Sequence, residues 1–151
     1  MTRQPIPPAA LWLGLAGLLP FVWGAACAQS DALAAWGLAI AGPRLTGVPL
    51  VLGYGVIILS FMSGVLWGFA AKQPKVAAIY YILSVLPALW VLFLVGGDLT
   101  ASVAALGLGY IGLLALDWLF ASRGLAPDWW MQLRLLLTAI VLACLAVAAL
   151  A

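Results

Sequence analysis

The sequence predicts an all-α integral membrane bundle of five transmembrane helices, forming one transmembrane domain over residues 1–151. Three observations predict it. Of the 151 residues, 68% are apolar and only 7% charged, whereas soluble domains average about half apolar and a quarter charged. The apolar residues fall into five runs, at about 9–28, 49–71, 76–95, 99–120 and 129–150. Each is near the ~20 residues that cross a ~30 Å hydrocarbon layer at about 1.5 Å per residue. The charges gather in the connections, and most of these are short, which makes neighbouring helices antiparallel in an up-and-down bundle.

Taken in order, the chain opens with Arg3, Pro5, Pro7 and Pro8, an extended lead-in at the membrane surface. The first run, 9–28, is long enough to span. Arg3, the apolar stretch and Ala26-Cys27-Ala28 also fit the outline of a cleaved signal peptide, a rival reading that the spanning length disfavours. Between residues 29 and 48, Asp31, Gly42, Pro43, Arg44 and Gly47 bracket an apolar piece from Leu33 to Ala41. It is too short to cross, so an interfacial segment between the first and second helices is expected, with Trp36 at headgroup level.

The second run is the expected hub. Ser60, Gly64 and Gly68 recur every four residues along it, a small-residue face on which another helix can approach closely. Lys72, Gln73, Pro74 and Lys75 form the turn into the third run, where Pro87 predicts a kink and Ser84 or a neighbouring helix is expected to satisfy the freed backbone. Gly96, Gly97 and Asp98 turn into the fourth run, whose Ala101, Ala105, Gly109 and Gly112 make a second small-residue face. After Arg123, Gly124 and Pro127 the fifth run begins, with Ala139, Ala143 and Ala146 as a third.

Charge placement predicts the topology. Arg3, Lys72, Lys75, Arg123 and Arg134 fall on the starting side and only Arg44 on the other, so the N-terminus is expected in the cytoplasm and the C-terminus outside. Tryptophans then collect in two belts, Trp67, Trp118, Trp129 and Trp130 inside and Trp23, Trp36 and Trp90 towards the outer half.

Leu18-Leu19-Pro20-Phe21, the string from Ile58 to Gly64 followed by Trp67-Gly68, Ser84 to Pro87 with Trp90, and Pro127-Asp128-Trp129-Trp130 with Leu133-Arg134 and Leu137-Thr138 stand in this order. In that order they resemble the domain of unknown function 3429 family, the transmembrane protein 69-like small membrane proteins. The resemblance runs from about Pro8 into the last helix and departs at Ser63, where a second glycine is expected. It implies the bundle architecture and carries no activity.

Ionisable residues inside a span are functional candidates. Asp117, about 4–5 Å inside the fourth run, and Arg134, about 8 Å inside the fifth, stand at similar depth on adjacent antiparallel helices. A ligand-binding site at the cytoplasmic mouth is expected from these two with Tyr110, seven residues before Asp117 on the same face, and Trp67. Its ligand is an anionic headgroup, a quinone oxygen or a proton. The bland reading makes the pair a structural clamp or two snorkelling side chains.

With no histidine in the chain, haem ligation by His and imidazole acid–base chemistry are excluded, and Cys27 and Cys144 have no metal or redox spacing. No catalytic residue, metal or cofactor is expected, and a net charge of +2 does not suggest nucleic acid. The expected partners are membrane lipid and other membrane subunits or a second copy. The reading is an inner-membrane protein of bacteria acting as a non-catalytic scaffold, assembly or accessory subunit. The alternative is a small transporter or a lipid- or quinone-binding protein.

Overall fold

In the computed structural model, which describes residues 5–151, the chain is all helical apart from turns. Arg3, one of the charges behind the expected topology, lies outside the described residues. Helices α1 (Pro8–Ala16) and α2 (Leu19–Ala28) together make one apolar run of 21 residues, interrupted at Gly17 and Leu18. The break has a local cause. A proline at position 20 cannot donate to the carbonyl of Ala16 and its ring crowds that carbonyl, and Leu18 N–H turns back to Leu15 O at 3.0 Å, the tighter i−3 spacing.

The expected interfacial segment is helix α3 (Asp31–Ala41). Ser30 Oγ caps it by accepting from Leu33 N–H at 3.4 Å, and Asp31 complements the dipole in its first turn. It stops at Gly42, whose φ of +78° only glycine adopts readily. Eleven residues rise about 16 Å, half a hydrocarbon layer. A 3₁₀ turn (Pro43–Leu45) leads into α4 (Gly47–Ala71), the longest helix at 25 residues.

Helices α5 (Ala78–Leu94), α6 (Leu99–Ser122) and α7 (Trp130–Ala149) follow. Four helical stretches, Pro8–Ala28, α4, α6 and α7, are long and apolar enough to cross a membrane. The third expected span, 76–95, is shorter than expected, a helix of 17 residues. Its first residues are left outside because Ala77 is extended (φ −67°, ψ 142°) where the helix begins, and Gly96 at φ +132° follows its end. Gly96 N–H is held by buried Ser102 Oγ at 3.1 Å.

Helix α4 packs on α2, α5, α6 and α7, and α5 lies against both α4 and α6. The small-residue face expected to bring α4 to its neighbours is not the face that meets them. Ser60 is half-buried, Gly64 and Gly68 are exposed, and nothing within 4 Å would touch a Cβ added at either glycine. Gly112 on α6 is equally open. The buried stripe of α4 instead runs through Val51, Gly55, Leu59, Met62, Ser63, Leu66 and Ala70, because the large apolar side chains that fill the interhelical space lie there, and the glycine side stays exposed.

Close approach occurs at other glycines. A Cβ at Gly55 would stand 2.5 Å from Leu106 Cδ2, and one at Gly109 would stand 2.8 Å from both Leu59 Cδ2 and Trp90 Cδ1. Ala105, half-buried one turn before Gly109, offers its carbonyl to Trp90 Nε1 at 2.7 Å. Gly109→Ala is therefore expected to cost about 1–3 kcal/mol by overpacking, whereas Gly64→Ala leaves stability unchanged or raises it. Thermal unfolding of the two variants in the same detergent measures the contrast, and equal effects would contradict this packing.

Candidate functional site

The polar centre of the bundle is built where α6 ends and α7 begins. Asp117 on α6 is 0% exposed, and it faces α7 because its helix buries Val103, Leu106, Tyr110, Leu113 and Phe120 on the same side. Its Oδ2 accepts from Arg134 Nε at 2.7 Å and its Oδ1 from Trp130 Nε1 at 2.8 Å. Arg134 is only 5% exposed and its Cζ lies 6.0 Å from the Trp130 ring centroid, the outer reach of a cation–π contact. Phe69 meets the Trp130 indole edge-on, with the ring centroids 4.9 Å apart.

The carboxylate is fully used, but the guanidinium is not. Arg134 binds Asp117 through Nε, and its Nη2 is buried without a hydrogen-bond partner among the described residues. One turn further along α7, Thr138 is 1% exposed and its Oγ1 is likewise unpartnered. A buried group left unmet costs about 1–3 kcal/mol, and these two belong to residues one helical turn apart on α7.

Both side chains line a cleft of about 290 Å³ whose walls come from α1, α2, α4, α6 and α7. Tyr110 is also in its wall, 1% exposed, with its hydroxyl donating to Gly55 O of α4 at 3.0 Å. Phe21 and Tyr54 meet edge-to-face at 5.3 Å, and Phe21 and Tyr110 at 6.1 Å. The structure thus brings Asp117, Arg134 and Tyr110 to one region of the core. Trp67 stands elsewhere: it is 48% exposed on the outer side of α4 and packs edge-on against Tyr81 of α5 at 4.8 Å.

Three side chains join the arrangement that the sequence reading passed over. Trp130 and Thr138 flank Arg134 at four-residue steps, so the three share one face of α7, a signal present in the spacing. Ser63 was read only as a departure from glycine. Its Oγ accepts the N–H of Ala88 at 2.9 Å, just after Pro87, where a proline opens the helix ladder. Ser84 bonds within its own helix instead, to Tyr81 O at 2.8 Å.

Removing one partner of the Asp117–Arg134 pair strands the other in a medium that cannot solvate it, at about 3–5 kcal/mol. Asp117→Asn and Arg134→Gln are each expected to lower the unfolding temperature strongly, and the double variant less than their sum. Full additivity in this double-mutant cycle would show that the two do not act as a pair.

A family model described as "Protein of unknown function (DUF3429)" matches residues 6–150. Transmembrane protein 69 of Xenopus tropicalis is 34% identical over 142 residues, which cover 89% of this chain and 51% of that protein. The chain therefore spans about half the length of this curated relative. No solved structure matches it. With the family model matched over nearly its whole length, the chain belongs to the DUF3429 family.

Proposed function

We propose that this chain is a five-span protein of the bacterial inner membrane, N-terminus inside and C-terminus outside, that works as a non-catalytic scaffold or accessory subunit. The observation carrying the reading is how the polar side chains between helices are spent. Ser63 holds Ala88 N–H, Trp90 holds Ala105 O, Tyr110 holds Gly55 O, and Trp130 and Arg134 hold Asp117. Each bond ties two different helices, and in hydrocarbon such ties have no water to compete with. The result is a cross-braced frame. The proline turn of α5 is pinned to α4, which argues against the transporter reading, since a gate needs a hinge that moves.

Five crossings are supported by the position of α5. Through Ser63 and Trp90 it touches interior turns of both α4 and α6, and connections of residues 72–77 and 95–98 are too short to return a chain across the membrane. Lys72, Lys75 and Arg123 then share a side opposite Arg44.

The orientation is tested with Cys27 and Cys144, both buried, replaced by alanine and single cysteines placed at Lys72 and Asp98. A membrane-impermeant maleimide applied to intact cells is expected to label the position at 98 and spare that at 72, and the reverse pattern, or labelling of both, overturns the topology. The scaffold role is tested by native mass spectrometry of the chain in excised native membrane discs. An assembly with a second copy or another membrane subunit is expected, and a lone monomer under every condition overturns it.

A further inference from the structure

We propose that the cleft beside Arg134 and Thr138 is a binding site for a neutral, membrane-dissolved molecule that presents a carbonyl oxygen. The site is independent of the scaffold reading and would stand if that reading failed.

The argument begins with the two orphaned groups. Arg134 and Thr138 are 5% and 1% exposed, and Arg134 Nη2 and Thr138 Oγ1 have no partner among the described residues although both residues line the cleft. The Nη2 group can only donate, and the threonine hydroxyl can donate as well. What completes the pair is therefore an acceptor. Its charge follows from Asp117: the carboxylate already balances the guanidinium at 2.7 Å. An anion entering the cleft would bring an unbalanced charge into a low-dielectric interior, so a neutral acceptor is favoured.

The shape of the cleft narrows the class further. Its volume of about 290 Å³ sits at the small end of ligand pockets, ~300 Å³, enough for a single ring or an ester group and too little for a charged phospholipid headgroup with its glycerol. Phe21, Tyr54 and Tyr110 are in the walls, and aromatic walls suit a planar ring. Entry is lateral. Leu13 and Phe61, 74% and 64% exposed, line the cleft; Leu13 lies more than a turn inside the apolar run Pro8–Ala28 and Phe61 near the middle of α4, so the opening faces the hydrocarbon layer. Two sources share this chemistry, the carbonyl of a quinone ring and the ester carbonyl of an acyl lipid, and the aromatic walls favour the first.

The test uses the full chain in detergent micelles, with decylubiquinone, monoolein and decanoate as probes and the concentration-dependent rise in unfolding temperature as the readout. Because Arg134→Gln strands Asp117 and disturbs folding, the informative variants are Thr138→Val and the cleft-filling Ile58→Phe. Decylubiquinone is expected to stabilise the native chain, with affinity about fivefold to tenfold weaker in Thr138→Val, as for one hydrogen bond lost, and abolished in Ile58→Phe. Monoolein acting in its place with the same sensitivities keeps the carbonyl site and assigns it to an acyl ester. Decanoate binding more tightly than both overturns the neutral-ligand assignment. Shifts identical in the native chain and both variants, or no shift with any probe, overturn the site.

Discussion

A carboxylate and a guanidinium facing each other where water does not reach set the terms for the rest of this bundle. Either charge alone would be expelled from such a place, since the cost of burying an unpaired ion exceeds what any nearby packing returns. Together, at 2.7 Å and with Trp130 closing the second carboxylate oxygen, they are tolerated. The pair also fixes the register of α6 against α7, because sliding either helix by one turn would carry Asp117 about 5 Å from its partner. Since α6 and α7 both meet α4, that register passes to the hub helix.

The same lack of water explains why the remaining ties are made as they are. Burying an apolar side chain between helices gains little in a bilayer, where the lipid tails it leaves are equally apolar, so association leans on close contact and on polar bonds. The structure places these together. Gly109 lets Leu59 and Trp90 come within 2.8 Å of where a side chain would begin, and that approach delivers Trp90 Nε1 to Ala105 O at 2.7 Å. Gly55 admits Leu106 and offers its carbonyl to Tyr110. A glycine matters here when a polar bond or a large side chain arrives at it, and not merely when it belongs to a four-residue series.

That distinction also marks how far the sequence could be read. The helical class, the apolar runs, a short separate segment before α4 and the closeness of Asp117 and Arg134 were all legible, since length, hydropathy and rise per residue determine them. Which glycines face inward was not. Ser60, Gly64 and Gly68 have the spacing of a contact face, but Val51, Leu59, Met62 and Leu66 occupy another side of the same helix, and their bulk turned that side to the core. Spacing names a face without saying what it meets. The Trp130, Arg134 and Thr138 stripe shows the opposite case, a pattern readable in advance whose meaning depends on the carboxylate arriving from another helix. The shortening of α5 to Ala78–Leu94 is set by backbone conformation at its ends, extended at Ala77 and left-handed at Gly96, which hydropathy does not register.

Two prolines within the apolar runs, Pro20 and Pro87, show how one local disturbance is put to two uses. Next to Pro87 a neighbour's hydroxyl, Ser63 Oγ, accepts the N–H of Ala88, so the proline turn of α5 is tied to α4. At Pro20 the chain breaks into α1 and α2, and the residues around the break, Gly14, Gly17, Leu18 and Phe21, form one wall of the cleft that Arg134 and Thr138 line. A side chain at position 14 would start 3.0 Å from Leu137 Cδ1, whereas one at position 17 would meet the Tyr54 hydroxyl at 3.6 Å, an ordinary contact. Glycine at both positions leaves this wall low, beside Arg134, the one buried guanidinium among the described residues. The opposite walls are tied to one another, α4 to α6 through Tyr110 and Gly55 and α6 to α7 through Asp117, so the opening is framed on those sides by helices whose spacing polar bonds set.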